Sequence, residues 1–373
     1  MNTLQRHVPG TVRDAILELL LSSPEPQTVK NIHNYVKVQI GDVARSSVQS
    51  YLNKNEPEIF TRVSRGKYSI SGSLGTKKLP NRFESFSVGK GEIFYGDCFE
   101  VMSSFEPNSV EAIVSDPPYG LVEYSDKEIA KLRAGKGGVW RIPPSFDGHM
   151  RAPLPRFTTL TKQDHLNMEA FFFKFGNAAN RILVPGAHIV LACNPLLSYL
   201  ITSALTRAGF ENRGAIIRKV ITMRGGDRPK NAHEQFKDVS VMPRSSWEPW
   251  ILVRKPLEGR VQDNLRKWRT GGLRRISDTQ PFFDFIESHP TQRNEKKIAP
   301  HPSLKPQKFL RQITRAALPL SEGAILDPFS GSGSTIAAAN AMGLNSIGIE
   351  ADHEYFELSK NAVPKLQSLQ VNL

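Results

Sequence analysis

The sequence predicts an α/β protein built on a doubly wound, mostly parallel sheet. Two segments carry this prediction, because each begins as a short apolar strand that ends in a carboxylate. Residues 111–116 (EAIVSD) end in Asp116, and two prolines follow that cannot continue a paired strand. Residues 324–335 (AILDPFSGSGST) form a strand ending at Asp327, then a Gly-rich turn that opens a helix. Since open α/β sheets place ligands at the carboxyl ends of their strands, we expect both acids to lie at a site.

The Gly-rich turn has the features of a nucleotide-binding loop. Gly331 and Gly333 allow backbone amides to approach a ligand, and the amino end of the following helix favours an anionic group. Residues 345–350 (NSIGIE) then predict a second short strand that ends in Glu350, a carboxylate suited to accept hydrogen bonds from a ribose diol. A glycine turn alone is weak evidence, whereas the series of loop, helix, strand and acid is considerably stronger.

The length and charge of the chain indicate several domains and a polyanionic partner. The chain has 373 residues, enough for two or three domains, and 49 basic against 36 acidic side chains give a net charge of +13. The charge is concentrated, since residues 1–90 carry 13 basic and 7 acidic side chains and residues 211–300 carry 19 and 11. Two basic segments therefore alternate with near-neutral ones, which favours two modules that contact a polyanion.

Several classes of protein are excluded by the same sequence. The two cysteines form no CxxC pair, and the histidines have no partners at metal spacing, so we expect neither a disulfide framework nor a metal site. No apolar run reaches the length that spans a membrane, and the N-terminus lacks the apolar core of a signal peptide. These observations predict a soluble, cytoplasmic protein with no membrane partner.

Residues 1–75 predict a winged-helix-like domain. Apolar residues recur at helical spacing from Thr11, from Thr28 and again from Ala44, and two short strands then flank a turn at Gly66. The third helix would present Arg45 and Gln49 to base edges in the major groove. Arg65 and Lys67, on the hairpin, would lie near phosphates. The alternative is a winged helix that contacts protein, and residues 76–91 read as a linker.

Five motifs in one order resemble the S-adenosylmethionine-dependent DNA amino-methyltransferases. The tetrapeptide DPPY at residues 116–119 precedes the Gly-rich motif DPFSGSG at 327–333, which is the family's β arrangement with a circularly permuted motif order. The other matches are YGDC at 95–98, LVPGAHIV at 183–190 and HPSLKP at 301–306. The resemblance implies a Rossmann-like methyltransferase sheet in two parts, residues 92–210 and 298–373, with an inserted target-recognition region at 211–297.

The resemblance also implies roles for individual residues. Asp97 would meet the adenine of S-adenosylmethionine, Glu350 its ribose, and Ser303 and Lys305 its amino-acid end. The residues that it assigns to catalysis are Asp116, Pro117, Pro118 and Tyr119. Those that it assigns to the cofactor are Asp97, Cys98, Ser303, Lys305, Asp327, Pro328, Phe329, Ser330, Gly331, Gly333 and Glu350.

The reaction that the resemblance implies is methylation of an exocyclic base amine in double-stranded DNA. Asp116 and the carbonyl of Pro117 would hold the amine in line with the methyl group, and Tyr119 would stack on a base flipped out of the duplex. An Asp at the first position of the tetrapeptide favours adenine N6. The alternatives are cytosine N4 and, in another class, a winged-helix regulator with an inactive methyltransferase body.

The second basic segment is the expected target-recognition region, because it mixes arginine, glycine and aromatic residues. Its predicted DNA-contacting residues are Arg224, Arg228, Arg266, Arg269 and Arg274. Residues 121–165 show little periodicity beside the catalytic motif and predict a mobile substrate loop. A homodimer and a cognate restriction endonuclease are the further partners that the resemblance suggests.

Overall fold

The chain forms two compact units in a computed structural model, residues 1–78 and residues 79–373. The residues that the structure describes are 11–23, 25–54, 56, 60–70, 83–118, 145–146, 149–150, 161–221, 226, 228–229, 231–301 and 303–371.

The N-terminal unit combines three helices with a small antiparallel sheet in the order β1-β3-β2. Its elements are α1 (Thr11–Ser22), β1 (Gln27–Thr28), α2 (Val29–Ile40), α3 (Arg45–Lys54), β2 (Phe60–Ser64) and β3 (Lys67–Ile70). The three helices and the hairpin occur where the periodicity predicts them. The two-residue strand β1 has no periodicity of its own and pairs with β3. Assignment of this unit as a winged helix stays a prediction.

A single apolar cluster holds the N-terminal unit together. Ile16, Ile32 and Leu52 come one from each helix and are fully buried against Phe60 of β2. Thr28 begins α2 by accepting a hydrogen bond from the amide of Asn31, at 3.1 Å. The elements therefore follow the amphipathic pattern of the sequence, with each apolar face turned inward.

The larger unit is a nine-stranded mixed sheet with helices on both faces. The order of strands is β12-β10-β11-β9-β6-β13-β14-β5-β4. The sheet strands are β4 (Ser85–Val88), β5 (Gly91–Tyr95), β6 (Val110–Ser115), β9 (Leu183–Ala192), β10 (Glu211–Lys219), β11 (Trp247–Arg254), β12 (Phe285–Glu287), β13 (Ala324–Asp327) and β14 (Asn345–Glu350). Two further strands, β7 (Ser145–Phe146) and β8 (His149–Met150), pair only with each other.

The helices of this unit divide between the two faces of the sheet. They are α4 (Cys98–Ser103), α5 (Lys162–Ile182), α6 (Ser198–Arg207), α7 (Val261–Trp268), α8 (Arg293–Ile298), α9 (Gln307–Ala317), α10 (Ser334–Ala341) and α11 (His353–Gln367). Ile113 of β6 packs in the cluster that includes α4, α5 and α6, while its neighbours Ala112 and Val114 pack in the cluster that includes α9 and α10. Strand β6 is therefore covered on both faces, as expected of a central parallel strand.

The strand order explains why the catalytic motif can precede the Gly-rich motif. Strands β5, β14, β13, β6 and β9 run parallel and are neighbours in that order. The chain passes from β5 to β6 and leaves a gap of two strands, which β13 and β14 fill from the C-terminal part. The α/β sheet predicted from the strand-end acids is present, and its motif order is permuted as the resemblance implies.

Two of the predicted segments take part in the main sheet. Within residues 76–91, predicted as a linker, β4 pairs with β5 and adds an antiparallel edge strand. Within residues 211–297, predicted as an inserted target-recognition region, β10, β11 and β12 extend the same sheet beyond β9. Glycine and serine composition indicated a linker, but the hydrogen bonds of the sheet edge decide the structure.

Most of the predicted mobile loop, residues 121–165, lies outside the described residues. Among the helices of the described ranges, none is long and apolar enough to cross a membrane.

Candidate active site at the carboxyl edge of the sheet

Four acidic residues follow or end neighbouring parallel strands. Asp97 follows β5, Asp116 follows β6, Asp327 ends β13 and Glu350 ends β14. Since these strands are parallel and adjacent, the four carboxylates lie along one edge of the sheet. This is the edge at which ligands bind in open α/β folds.

Asp116 is held by two residues of the HPSLKP segment. Its Oδ2 accepts a hydrogen bond from Ser303 Oγ at 2.5 Å and an ion-paired one from Lys305 Nζ at 2.6 Å. The Asp116 side chain is 14% exposed and that of Lys305 is 9% exposed, so water screens the pair little. Burial lowers the pKa of Lys305, but the charges of Asp116 and Glu248 outweigh it and raise that pKa above its ordinary value. The ammonium therefore stays charged next to the carboxylate.

The ion pair continues into a second carboxylate that the motifs did not indicate. Glu248 Oε1 lies 3.4 Å from Lys305 Nζ, and Glu248 Oε2 lies 2.9 Å from Arg218 Nη1. Burial alone would raise the pKa of Glu248, but the charges of Lys305 and Arg218 lower it by more. The pKa of Glu248 therefore lies below its ordinary value. The one sequence signal was a lone acid in the largely apolar strand WEPWILVR.

Asp327 is a buried anchor of the Gly-rich turn. Its Oδ1 accepts hydrogen bonds from Ser115 Oγ at 2.5 Å and from the amide of Phe329 at 3.2 Å. Burial raises the pKa of Asp327 to about 6, and hydrogen bonds from Ser115, Thr335 and Phe329 oppose that rise. These contacts tie the start of the Gly-rich turn to the end of β6, the strand that carries Asp116.

The glycines of the turn are required by its conformation. Gly331 and Gly333 have φ values of 52° and 79°, in the left-handed region that favours glycine. A β-carbon at Gly333 would lie 2.4 Å from Val363 Cγ2, and one at Gly331 would lie 3.2 Å from His301 Nε2. Glu350 Oε2 accepts a hydrogen bond from the Gly331 amide at 2.6 Å, so the end of β14 supports the same turn. Ser330 is buried and its hydroxyl packs over Gly348.

Asp97 and an aromatic cluster form the side of the site near β5. Asp97 begins α4 by accepting hydrogen bonds from the amides of Phe99 and Glu100. Phe171 of α5 contacts both Phe99 and Phe329, with ring centroids 5.6 and 6.2 Å apart. Phe171 is only partly buried and lies against the Gly-rich motif. The helical spacing of aromatic residues does not show whether such a side chain lies in the core or lines the site.

Cys98 stands first in α4 and is buried. Burial, together with the neighbouring charge of Asp97, raises the pKa of its thiol to about 12. The thiolate is therefore not available near neutral pH, and Cys98 acts as a small apolar residue.

The segment 301–305 joins the two motifs. His301 lies against Gly331, while Ser303 and Lys305 reach Asp116. Pro328 and Phe329 lie in the Gly-rich turn, Pro117 is buried and Pro118 is exposed. Tyr119 lies outside the described residues. The described residues of both motifs thus converge on one edge of the sheet, with Ser303 and Lys305 of the HPSLKP segment in contact with Asp116.

The predicted DNA-contacting residues of the N-terminal unit differ in their surroundings. Arg45, Arg65 and Lys67 are exposed. Gln49 Nε2, in contrast, donates to Asn53 Oδ1 at 2.9 Å and to the hydroxyl of the buried Tyr68 at 3.2 Å. The Gln49 side chain is therefore engaged within the unit, because β3 places Tyr68 under α3.

The predicted DNA-contacting arginines of the larger unit also differ. Arg228 is exposed, and Arg266 lies 3.4 Å from Asp263 on the surface of α7. Arg269 is mostly buried and pairs with Glu322 at 3.1 Å, and Arg274 donates to Ser321 Oγ. Arg224 lies outside the described residues. The arginine pattern thus mixes exposed side chains with side chains that stabilise the fold.

A family model and the similar curated proteins indicate the same family. A family model described as DNA methylase, N6_N4_Mtase, matches residues 110–361. The chain is 23% identical over 303 residues to the type II methyltransferase M2.DpnII of Streptococcus pneumoniae, covering 80% of this chain and 96% of that protein. It is 22% identical over 293 residues to the type II methyltransferase M.HindIII of Haemophilus influenzae, covering 72% and 94%.

Solved structures with a similar fold include two methyltransferases. The M1.HpyAVI–SAM complex has a TM-score of 0.46 at 17% identity, covering 73% of this chain and 98% of that one. The cytosine-N4-specific PvuII DNA methyltransferase has a TM-score of 0.47 at 14% identity, covering 76% and 88%.

Proposed function

The chain belongs to the N6/N4 DNA methylase family, and we propose that it transfers a methyl group from S-adenosylmethionine to the exocyclic N6 of adenine in double-stranded DNA. The observation that carries the proposal is the contact of segment 301–305 with both motifs. His301 lies against Gly331 of the Gly-rich turn, and Lys305 pairs with Asp116. A cofactor held by the turn and a base held by Asp116 would therefore meet at this segment.

The residues of the carboxyl edge fit S-adenosylmethionine, the cofactor of this family. The ligand has a ribose diol, a flat adenine and a charged methionine end, and the edge offers a matching set of groups. Glu350 and Asp97 end or follow adjacent strands, and the register pairs Glu350 with Tyr95 of β5. Phe171 and Phe329 supply an apolar wall, and the turn has no room for a side chain at Gly333 and little at Gly331. When bound, the cofactor supplies an electrophilic methyl group.

The roles proposed for these residues follow from their places. Glu350 would accept hydrogen bonds from the ribose hydroxyls and Asp97 would meet the adenine. Phe329, Ser330 and the two glycines would line the sulfonium and methionine portion. Asp327, which is buried and fully engaged with Ser115 and Phe329, would act by holding the turn in place. Ser303 and Lys305, assigned by resemblance to the amino-acid end, also hold Asp116.

Asp116 and the carbonyl of Pro117 would hold the acceptor amine. An exocyclic base amine is a poor nucleophile, because its lone pair is delocalised into the ring. Hydrogen-bond acceptors aimed at its two protons favour the tetrahedral geometry that attack requires. The Lys305 ammonium fixes the carboxylate of Asp116 in place, so the amine meets an acceptor that is already oriented. The nitrogen would form a bond to the methyl carbon as the sulfur–methyl bond breaks and the sulfur leaves as a neutral thioether, and the nitrogen would lose one proton to Asp116 or to water.

Adenine is the proposed base because an Asp opens the tetrapeptide, and the base would be flipped out of the duplex to reach Asp116. Stacking of the flipped base on Tyr119 stays a prediction. Five exposed basic side chains would contact DNA: Arg45, Arg65 and Lys67 in one unit and Arg228 and Arg266 in the other. A homodimer and a cognate restriction endonuclease are further proposals, motivated by the type II methyltransferases among the relatives.

One assay tests the reaction and the base. The protein is incubated with duplex DNA of varied sequence and methyl-labelled S-adenosylmethionine, and the DNA is digested to nucleosides for chromatography. We expect the label in N6-methyladenosine. Label in N4-methylcytosine would reject the adenine assignment within the family, and no transfer to any DNA would favour the inactive regulator.

A further inference from the structure

A row of four alternating charges runs from Asp116 into the sheet. Asp116 pairs with Lys305 at 2.6 Å, Lys305 lies 3.4 Å from Glu248, and Glu248 pairs with Arg218 at 2.9 Å. Lys305 and Arg218 are both buried, and the Glu248 side chain is 20% exposed. The two acids and two bases balance, which is the condition for keeping such charges away from water.

The far half of this row is built rigidly. Glu248 and Arg218 are register partners on β11 and β10. Glu248 Oε2 also accepts a hydrogen bond from Trp250 Nε1 at 3.2 Å. Arg218 donates to Ser288 Oγ at 3.1 Å and to the His289 carbonyl at 2.9 Å. Glu248 is thus held by Arg218 and Trp250 before it meets Lys305.

Resting on the proposed function, we propose that Glu248 is a positioning residue for the methyl transfer, which holds the Lys305 ammonium between two carboxylates and so keeps Asp116 available to the amine. Lys305 is a positioning residue as well, since it acts through Asp116. Strands β10 and β11, which carry Arg218 and Glu248, therefore contribute to the site, in addition to any contact that their region makes with DNA.

The physical reason is the sharing of one ammonium by two acids. With Glu248 charged, Lys305 is drawn in two directions and does not neutralise Asp116 completely. Without that charge, Lys305 and Arg218 would face each other across a neutral side chain, and Asp116 would be the acid of the row left to balance them. The Lys305 ammonium, already at hydrogen-bond distance from Asp116, would then neutralise that carboxylate more fully and weaken its attraction for the protons of the base amine.

Three other polar side chains lie near this row of charges: His301, Cys193 and Ser303. His301 lies close enough for the charges of Asp116 and Lys305 to affect its pKa, although burial is the main cause of its lowered value. Cys193, after β9, has a thiol whose pKa is raised to about 12, chiefly by burial and further by Glu248 and Asp116. Ser303 bonds to both Asp116 and Lys305. Among the described residues, Lys305 and Arg218 remain the cations in direct contact with Glu248.

The same pair of strands provides a matched control. Glu211 and Arg254 are also register partners on β10 and β11, and they pair at 2.6 Å at the other end of the ladder. Glu211→Gln removes a carboxylate from a partly buried ion pair of these strands without touching Lys305. Glu248→Gln keeps the shape and acceptor oxygen of the side chain and removes its charge, and Glu248→Asp restores the charge.

The experiment compares the three variants with the wild type in the methyl-transfer assay. We expect Glu248→Gln to lower kcat by about tenfold or more while KM for DNA and for S-adenosylmethionine stays within about twofold, since the loss concerns the oriented acceptor. The alkaline limb of the pH profile should move to lower pH, because Lys305 loses a charge that raises its pKa. Glu248→Asp should recover part of kcat, and Glu211→Gln should keep the wild-type kcat and pH profile.

A second readout does not depend on activity. The pKa of Lys305 can be followed by NMR of protein labelled at the lysine ε-carbons, with the resonance assigned from Lys305→Arg. We expect this pKa to be lower in Glu248→Gln than in the wild type and unchanged in Glu211→Gln. A wild type that transfers no methyl group would overturn the proposed reaction. An active wild type in which Glu248→Gln matches Glu211→Gln in kcat, or leaves the Lys305 pKa unchanged, would overturn the role of Glu248.

Discussion

Ser115 donates a hydrogen bond to Asp327 across the adjacent strands β6 and β13, at 2.5 Å between the two side-chain oxygens. The two residues are 212 positions apart in the chain, and each stands at the end of a motif strand. Ser115 directly precedes Asp116, and Asp327 begins the Gly-rich turn. This bond therefore sets the acceptor side of the candidate site against the cofactor side, although the two sides come from distant parts of the sequence.

Asp116→Asn should abolish methyl transfer and leave cofactor binding in place. The amide keeps the shape of the side chain but cannot attract the amine protons or Lys305 as the carboxylate does. We expect kcat to fall by about 10²- to 10⁴-fold, the usual range for loss of an acid–base group. Single-turnover methylation measures the loss, and calorimetry with S-adenosylmethionine measures binding.

The matched control for that variant is Glu106→Gln, which removes an exposed carboxylate from the same unit. Its activity should equal that of the wild type. If Asp116→Asn lost cofactor binding together with turnover, the division of the edge into an acceptor side and a cofactor side would be refuted.

Gly333→Ala should weaken both folding and cofactor binding. The residue has φ of 79°, and a β-carbon would lie 2.4 Å from Val363 Cγ2. The left-handed conformation alone destabilises a residue with a side chain by about 1–2 kcal/mol. The contact with α11 adds to this and displaces the turn, so we expect S-adenosylmethionine affinity to fall as well.

Gly343→Ala separates the two causes. Gly343 follows α10 with φ of 71°, and a β-carbon there would meet no atom within 4 Å. Gly343→Ala should lose stability in urea unfolding because of its left-handed conformation, and it should bind S-adenosylmethionine as tightly as the wild type. Equal effects of the two variants on S-adenosylmethionine binding would show that close packing of the turn at Gly333 is unimportant.

Arg45→Ala and Arg65→Ala test whether the N-terminal unit contacts DNA. Each phosphate contact that is lost should reduce the slope of log affinity against log salt by about 0.9. We expect weaker duplex binding, a shallower salt dependence and an unchanged affinity for S-adenosylmethionine. Lys37→Ala is the control, since Lys37 pairs with Asp42 at 2.9 Å within the unit. Identical slopes in all variants would favour the protein-contact alternative.

The sequence predicts the parts of the site that depend on local structure. Asp116 and Glu350 can be placed at strand ends because short apolar segments, residues 113–114 and 347–349, stop shortly before each acid, and this signal needs no knowledge of the remaining chain. The pairing of Lys305 with Glu248 depends instead on β11 joining the sheet beside β9, a long-range register that no local pattern encodes. Gln49 shows the same limit, because the hydroxyl that engages it comes from Tyr68 on the folded-back hairpin.

Glu111→Gln should change the pH dependence of stability. Glu111 lies in β6 and its Oε2 accepts a hydrogen bond from the amide of Ala324 at 2.6 Å. Burial raises the pKa of Glu111 to about 7, and the Ala324 hydrogen bond opposes this rise. The folded state therefore holds the proton more tightly than the unfolded state, whose carboxyl titrates near pH 4.3. The stabilising contribution is complete below about pH 4 and is lost as the pH rises through about 7.

Glutamine cannot ionise, and its amide oxygen can still accept the hydrogen bond from Ala324. The variant should thus gain stability over the wild type as the pH rises from about 4 to about 8, with an upper bound of about 4 kcal/mol from the shift in pKa. Urea unfolding at a series of pH values measures the difference, and Glu106→Gln controls for the loss of one negative charge. A difference in the free energy of unfolding between Glu111→Gln and the wild type that is the same at every pH would show that the fold does not hold Glu111 protonated. A stability difference that grows with pH would instead show that burial disfavours the ionised form of Glu111. Glu111 lies at the end of β6 opposite Asp116, so it can be replaced without touching the candidate site.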